Sequence, residues 1–384
     1  MIKTGSINAE DPMQPLGKSG LVKESEAMKD YLAIDIRSHC FPDNDLSELA
    51  KTYMNVFNEV KDVSVKWSAR SANNMIDLHA RTLGCNVALL DLKTDRVVGG
   101  FLSTIVPSAE GWRLSSQDLF IDSKHRGNGV GSSFYHRALA YADEICKREL
   151  RSDIAVISGT TYKIPSQPKK MWKKKGYELQ PLFSLAAQSI LRSDKGIGAD
   201  IIIEQVRPDD ADKVAAFITS NKTVSSDKEK WGEPQASAYV NFMLHNHPAT
   251  FVAGKMGNKI VAVSSINLLP GRSGPYGIEA QCFVTKTSLS RQQEIVGATF
   301  KTLLMCANGA SMQLFGDNIA AIEVTASGAP FFRKMFSKIE EDKEFLGIRG
   351  FPSVLKNNLS QSKKYSQVTL VESHSRTTRV ARPS

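Results

Sequence analysis

Residues Leu119–Phe134 read LFIDSKHRGNGVGSSF, and the reading of this stretch decides the fold. A run that alternates like a strand from Trp112 ends near Asp122, and a helix begins near Gly131. Beyond it Phe134, Ala138, Tyr141, Ala142, Ile145 and Cys146 recur at helical intervals. Glycines at 127, 129 and 131 let the connecting turn adopt positive φ and bring its backbone N–H groups close to a ligand. The unpaired N–H groups of a first helical turn, with the helix dipole behind them, form an anion site. Charge placement agrees: Ser123 to Ala142 holds Lys124, Arg126 and Arg137 but no acidic residue. Helix starts usually favour carboxylates, so an anionic ligand is expected in their place.

Other phosphate-binding turns fit less well. A P-loop ends Gly-Lys-Ser/Thr, whereas Gly131 is followed by Ser132 and Ser133. A dinucleotide fold wants GxGxxG after its first strand, whereas this is GxGxG after about the fourth.

Working outward, strand patterns are read at Leu32–Ile36, Asn86–Asp91, Val97–Val106 and Trp112–Ile121, with helices over Leu46–Phe57 and Asn73–Leu83. A buried strand follows at Ile154–Ile157, then a short helix around Lys169–Lys175 that Gly176 ends, then a strand over Tyr177–Phe183. After Leu191–Asp200 the order repeats. Strands are expected at Ile201–Val206, Thr250–Ala253, Lys259–Leu268, Ile278–Val284 and Ala320–Thr325. Helices are expected after Pro208, over Ile295–Ala307 and over Pro330–Phe336.

Arg126-Gly-Asn-Gly-Val-Gly131 resembles the Q/R-x-x-G-x-G/A signature of the GNAT superfamily of CoA-dependent N-acyltransferases. The run from Lys170 to Tyr177 resembles that superfamily's later block, a short helix ending in Gly-Phe or Gly-Tyr. The resemblance implies an α/β (α+β) fold of two GNAT-like units, each a mixed, mostly antiparallel central sheet flanked by helices. It divides the chain into a mobile arm (1–30), a catalytic acyl-CoA-binding domain (31–190), a linker (191–200), a degenerate second copy (201–352) and a basic disordered tail (353–384).

The resemblance also implies a chemistry: direct transfer of an acetyl or other short acyl group from acetyl-CoA to an amine on a small molecule or a protein. Arg126, Gly127, Asn128, Gly129, Val130, Gly131 and Ser132 would take the pyrophosphate. The backbone of Phe120, Ile121 and Asp122 would pair with the pantetheine arm. Many members carry a Tyr four residues before the Gly of the later block, as acid toward the departing sulfur. This chain has Trp172 there, and an indole cannot serve. Tyr162 and Ser166 are the nearest substitutes, and Asp118 is the best-placed carboxylate for the base. In the second copy Gln293 and Ile295 stand where the first two glycines would be, Gly297 remains, and Glu294 adds a negative charge. That copy is expected to pack against the first and shape its acceptor groove. A non-catalytic acyl-CoA-binding or scaffold protein is the alternative.

Bulk properties set outer limits. The 384 residues, 41% hydrophobic and 23% charged, suit two globular domains. No apolar run reaches the roughly 18 residues of a membrane span, and Met1–Gln14 lacks a signal-peptide h-region, so a cytoplasmic protein is expected. Residues 353–384 carry six basic residues against one acidic, more than half of the net +9. The rest is nearly neutral, which disfavours nucleic acid as a partner. The five cysteines show no CxxC spacing, and His245 and His247 gather no third ligand, so no metal is expected. The cluster Lys169, Lys170, Lys173, Lys174 and Lys175 reads as a solvated helix face.

Overall fold

The computed structural model describes residues 28–37, 41, 43–60, 65–127, 129–162, 166–194, 200–223, 230–324, 329–336, 339–350 and 370–371. The first half runs β1 (Tyr31–Asp35), α1 (Asp43–Asn58), α2 (Ala69–Arg81), β2 (Val87–Asp91), β3 (Arg96–Ser108), β4 (Gly111–Ile121), α3 (Val130–Leu150), β5 (Ile154–Tyr162), α4 (Ser166–Lys174) and β6 (Glu178–Ala186). A short α5 (Ala187–Leu191) follows. The second half repeats the order: β7 (Ile202–Gln205), α6 (Ala211–Ser220), β8 (Lys222–Thr223), α7 (Glu233–Asn246), β9 (Phe251–Met256), β10 (Lys259–Leu269), β11 (Tyr276–Val284), α8 (Leu289–Phe315), β12 (Ala321–Val324), α9 (Ala329–Met335) and β13 (Ile339–Gly350). A two-residue β14 (Leu370–Val371) pairs in parallel with Ala33–Ile34.

The fold is mixed α/β, with a mostly antiparallel sheet in the order β14-β1-β2-β3-β4-β5-β13-β6-β12-β11-β10-β9-β7. Its centre is an exchange. β5 pairs with β13, the last long strand of the second half, while β12 pairs with β6, the last strand of the first. Each half thus supplies the sixth strand of the other, and β13 with β6 closes the seam. Periodicity does not reveal β13, because Ile339–Gly350 reads IEEDKEFLGIRG, with five charges in its centre.

Helices cover both faces, as the alternation of strand side chains requires. On β2, Val87 and Leu89 enter the core under α3, while Ala88 and Leu90 enter the core under α1 and α2. On β11, Cys282 and Val284 face α8, and Phe283 faces α6 and α7. Phe134, Tyr135, Ala138, Tyr141 and Ala142 of α3 are all buried, each large one worth about 1.5–3 kcal/mol of transfer free energy. α7 escapes the sequence reading because its apolar residues form no single stripe: Ala236, Tyr239, Val240 and Met243 are buried, and Phe242 and Leu244 beside them are partly buried as well. The packed chain has begun by Met28, which is buried, and Asp30 receives an ion pair from Lys93 at 2.7 Å. Among the described residues no helix is long and apolar enough to cross a membrane.

Candidate functional site

β4 pairs with β3 along its length, but with β5 only at its base, where Trp112, Arg113 and Leu114 meet Ile154, Val156 and Ile157. Ser158 Oγ donates to Ser115 Oγ at 3.3 Å just beyond the last pair. Past that point β5 runs on beside β13, and among the described residues no strand pairs with the second edge of β4. The two parallel strands therefore splay into a wedge. One extra residue in β4, between Ser115 and Asp118, makes a bulge that bends the strand at the mouth of this wedge.

The free edge leads into the glycine turn. Asp122 Oδ1 accepts from the Lys124 N–H at 3.0 Å and starts a single turn of 3-10 helix, Ser123–His125. His125 Nδ1 lies 3.1 Å from the Tyr31 hydroxyl. Arg126 folds back: its Nε donates to the Ile121 carbonyl at 2.7 Å and its Nη2 meets Glu59 at 2.7 Å. Gly127 and Gly129 have φ of +96° and +80°, a region costly for any residue with a Cβ. Gly129 is the residue before α3 and offers no side-chain cap, and the first turn of α3 holds no carboxylate. Gly127, Gly129 and Ser132 are exposed, Gly131 half-buried and Val130 buried. An uncapped helix N-terminus at the end of an open strand edge fits a diphosphate with an extended arm. Asn128 lies outside the described residues. Phe120 and Ile121 turn their side chains into the two cores, so only their backbone is available to a ligand.

Asp118 sits on β4 four residues before Asp122. The Tyr53 hydroxyl of α1 donates to its Oδ2 at 2.9 Å. Burial pushes the Asp118 carboxyl up to about 6, against the opposing pull of the Tyr53 hydrogen bond and the Arg272 charge. Tyr53 is raised well above its ordinary value by burial and by Asp118, so it stays a donor. Its ring packs edge-on against Trp67 at 4.9 Å and Phe120 at 5.1 Å. The remaining wall comes from the second half. Arg272, in the turn between β10 and β11, places its guanidinium 5.9 Å from the Trp67 ring centroid. Tyr276, at the start of β11, is raised by burial, then by Glu323 and Asp118. Tyr53, Trp67, Arg272 and Tyr276 are absent from the sequence-derived site. Tyr53 reads there only as an apolar helix position, and nothing local ties Arg272 to β4.

The proposed acids are not placed. Tyr162 ends β5 and Ser166 opens α4, but their side chains lie outside the described residues. Trp172 is a core residue, edge-on to Tyr135 at 5.4 Å and to Tyr177 at 5.1 Å. The Tyr135 and Tyr177 hydroxyls are hydrogen-bonded to each other. Of the lysine cluster, Lys173 and Lys174 are exposed. Lys175 is drawn in, with Nζ 2.9 Å from His136 Nε2 and 4.9 Å from the Tyr135 ring centroid. Burial, then Lys174, lowers it to about 8.

The second half repeats the frame and alters each chemical part. β11 has the same one-residue bulge, between Ile278 and Gln281, so Gln281 stands where the first half has Asp118 and Phe283 where it has Phe120. The outer edge of β11 is occupied, since Thr223 and Lys222 of β8 pair with Phe283 and Val284. Ser288 caps α8, its hydroxyl accepting from the Arg291 N–H at 3.3 Å. Arg291 is held by Glu294 at 2.9 Å and by Asp200.

No protein-family model matches the sequence, and no curated protein matches it in sequence. Several solved structures are similar in shape at low identity. One is described as a GCN5-related glucosamine N-acetyltransferase region of a fungal multi-domain β-N-acetylglucosaminidase. It has 14% identity and a TM-score of 0.48 over 83% of this chain, which spans only 38% of that protein. A GCN5-related N-acetyltransferase from Sphaerobacter thermophilus has 10% identity and a TM-score of 0.46 over 84% of this chain and 96% of that one. A tandem GNAT protein from the clavulanic acid biosynthesis pathway has 12% identity and a TM-score of 0.46, over 84% of this chain and 98% of that one.

Proposed function

We propose that this chain is a CoA-dependent N-acyltransferase whose first half carries the site and moves an acetyl or other short acyl group to an amine. The observation that carries the reading is an edge of β4 that no strand among the described residues covers, running through two left-handed glycines into a helix that no described side chain caps. The turn from Arg126 to Ser132 holds the pyrophosphate of acyl-CoA, with the backbone of Phe120 to Asp122 along the pantetheine arm. The acceptor amine attacks the thioester carbonyl, the C–N bond forms, and the C–S bond breaks with CoA leaving as thiolate. Asp118 takes the amine proton. Its carboxyl lies close enough to neutrality to be ionised at rest and still accept a proton during attack. The acceptor, small molecule or protein, enters between α1 and the turn that bears Arg272. The buried free thiols of Cys85, Cys146 and Cys282 suit a reducing compartment, and we place the protein in the cytoplasm.

The test is thiol release from acetyl-CoA across a panel of primary amines, with product mass confirming acylation. Transfer to at least one class, reduced about 100-fold or more by Asp118→Asn, is expected. Saturable acetyl-CoA binding with no transfer to any amine would favour the second reading, a CoA-binding scaffold. That reading draws on Trp172, which fills the acid's position with a packed indole.

A further inference from the structure

The two halves do not merely share a sheet; each sends a hairpin against the other's α1–α2 or α6–α7 face. The β3–β4 end of the first half reaches the second, where Val106, Pro107 and Arg113 line a small cavity with Tyr239, Phe242 and Gln281. The β10–β11 turn of the second half reaches the first, where Arg272 lies over Trp67. The repeat extends to the aromatic floor. Trp67 stands two residues before α2 and Trp231 two residues before α7. Trp67 packs on Tyr53, which packs on Phe120, while Trp231 packs on Tyr239 at 5.0 Å and Phe283 at 5.6 Å. The two crossings differ where it matters. One ends at a neutral amide, Gln281, and the other at a carboxylate, Asp118.

We infer that the β10–β11 turn of the second half is a working part of the first half's site, with Arg272 as the positioning residue for Asp118. The inference deepens the acyltransferase reading and, for its catalytic meaning, rests on it. Arg272 presents a planar cation to a wall made of Trp67, Tyr53 and Asp118, linked by a ring contact of 4.9 Å and a hydrogen bond of 2.9 Å. Guanidinium over an indole face is a favourable stacking partner, which fixes the group in place rather than leaving it to swing in solvent. The groups acting on Asp118 come from three elements: Tyr53 from α1, Arg272 from the turn, and Tyr276 from the start of β11, itself flanked by Glu323 of β12. Arg272 is the cation among them, so it offsets the cost of keeping a carboxylate in this aromatic surrounding. Without it Asp118 is held neutral to higher pH, and less of it is ionised to act as base at neutral pH. The second half thus serves the first by completing its site, and needs no cofactor loop of its own to do so.

The experiment uses the full chain labelled with 13C at Asp Cγ, the Asp118 signal being assigned by its loss in Asp118→Asn. The titration midpoint is followed in wild type, Arg272→Gln, Arg272→Met and Arg272→Lys. The expected result is an upward shift of about one pH unit in the Gln and Met variants, with Lys close to wild type. A midpoint unmoved in both Gln and Met variants overturns the inference. An equal shift in Lys also overturns it, since the effect then belongs to packing and not to charge. Two neutral variants of different shape guard against one failing to fold. Acetyl-CoA calorimetry on the same samples separates the two ideas. Wild type and Arg272→Gln are expected to bind alike. No binding by either defeats the acyltransferase reading, while the midpoint still decides the coupling of Arg272 to Asp118.

Discussion

The first and second halves share a frame of five paired strands, a bulged fourth strand and a long helix after it, yet they treat the same three positions in opposite ways. In the first half, among the described residues, no strand pairs with the second edge of β4 and no side chain caps the helix start, and the bulge presents Asp118. In the second half β8 covers the edge of β11, Ser288 caps α8 with Glu294 and Arg291 paired beside it, and the bulge presents Gln281. The second half keeps the backbone frame while pairing the strand edge and capping the helix start. The difference teaches that a site is recognised by what is left unsatisfied, and the element order alone does not locate it.

The largest expected effect comes from closing the first half in the manner of the second. Gly129→Glu places a Cβ at φ +80° and a carboxylate at the helix start. It is expected to weaken acetyl-CoA binding by about 100-fold or more, from strain of about 1–2 kcal/mol plus repulsion of the pyrophosphate. Calorimetry with a melting curve as fold control measures it, and unchanged affinity would break the comparison.

The next effect is that of pH. With Asp118 as base, transfer is expected to rise about tenfold per pH unit below an inflection near 6 and to level above it. The profile is read from initial rates at saturating acetyl-CoA, and a flat profile from 5 to 8 removes Asp118 from the mechanism.

Stability gives an independent check on the same group. A carboxyl raised in the fold contributes stability that is complete below its unfolded value and is lost as pH rises through the folded one. Asp118→Asn is therefore expected to gain thermal stability relative to wild type as pH goes from 4 to 7. Equal pH dependence in both proteins contradicts a carboxyl raised in the fold.

The smallest effect concerns Arg126, which is shared with Glu59 across an exposed pair. Glu59→Gln frees the guanidinium for a phosphate and is expected to tighten acetyl-CoA by no more than about fivefold, since exposed pairs are worth about 0–1 kcal/mol. A weakening of tenfold would show Glu59 to be needed for holding the turn.

Much of this was legible in the sequence for a local reason. The glycines at 127 and 129 sit at positive φ because the turn from β4 to α3 demands it, and glycine is the residue that meets such a demand cheaply. The long helices announced themselves through wide apolar stripes. What stayed hidden was long-range or masked by charge. β13 carries Glu340, Glu341, Asp342, Lys343 and Glu344 through the middle of a sheet, and only its pairing with β5 and β6 makes it a strand. Arg272 lies more than 150 positions from Asp118, and its place over Trp67 follows from the strand exchange that locks the halves together. β8 is two residues long, too short for any pattern, and it nevertheless closes the second edge.

The most direct test of the contrast between the halves is the stoichiometry of acetyl-CoA on the intact chain, by calorimetry checked with native mass spectrometry. One molecule per chain, displaced by CoA and lost in Gly129→Glu, is the result expected here. Two molecules per chain, or one that survives Gly129→Glu, would contradict it.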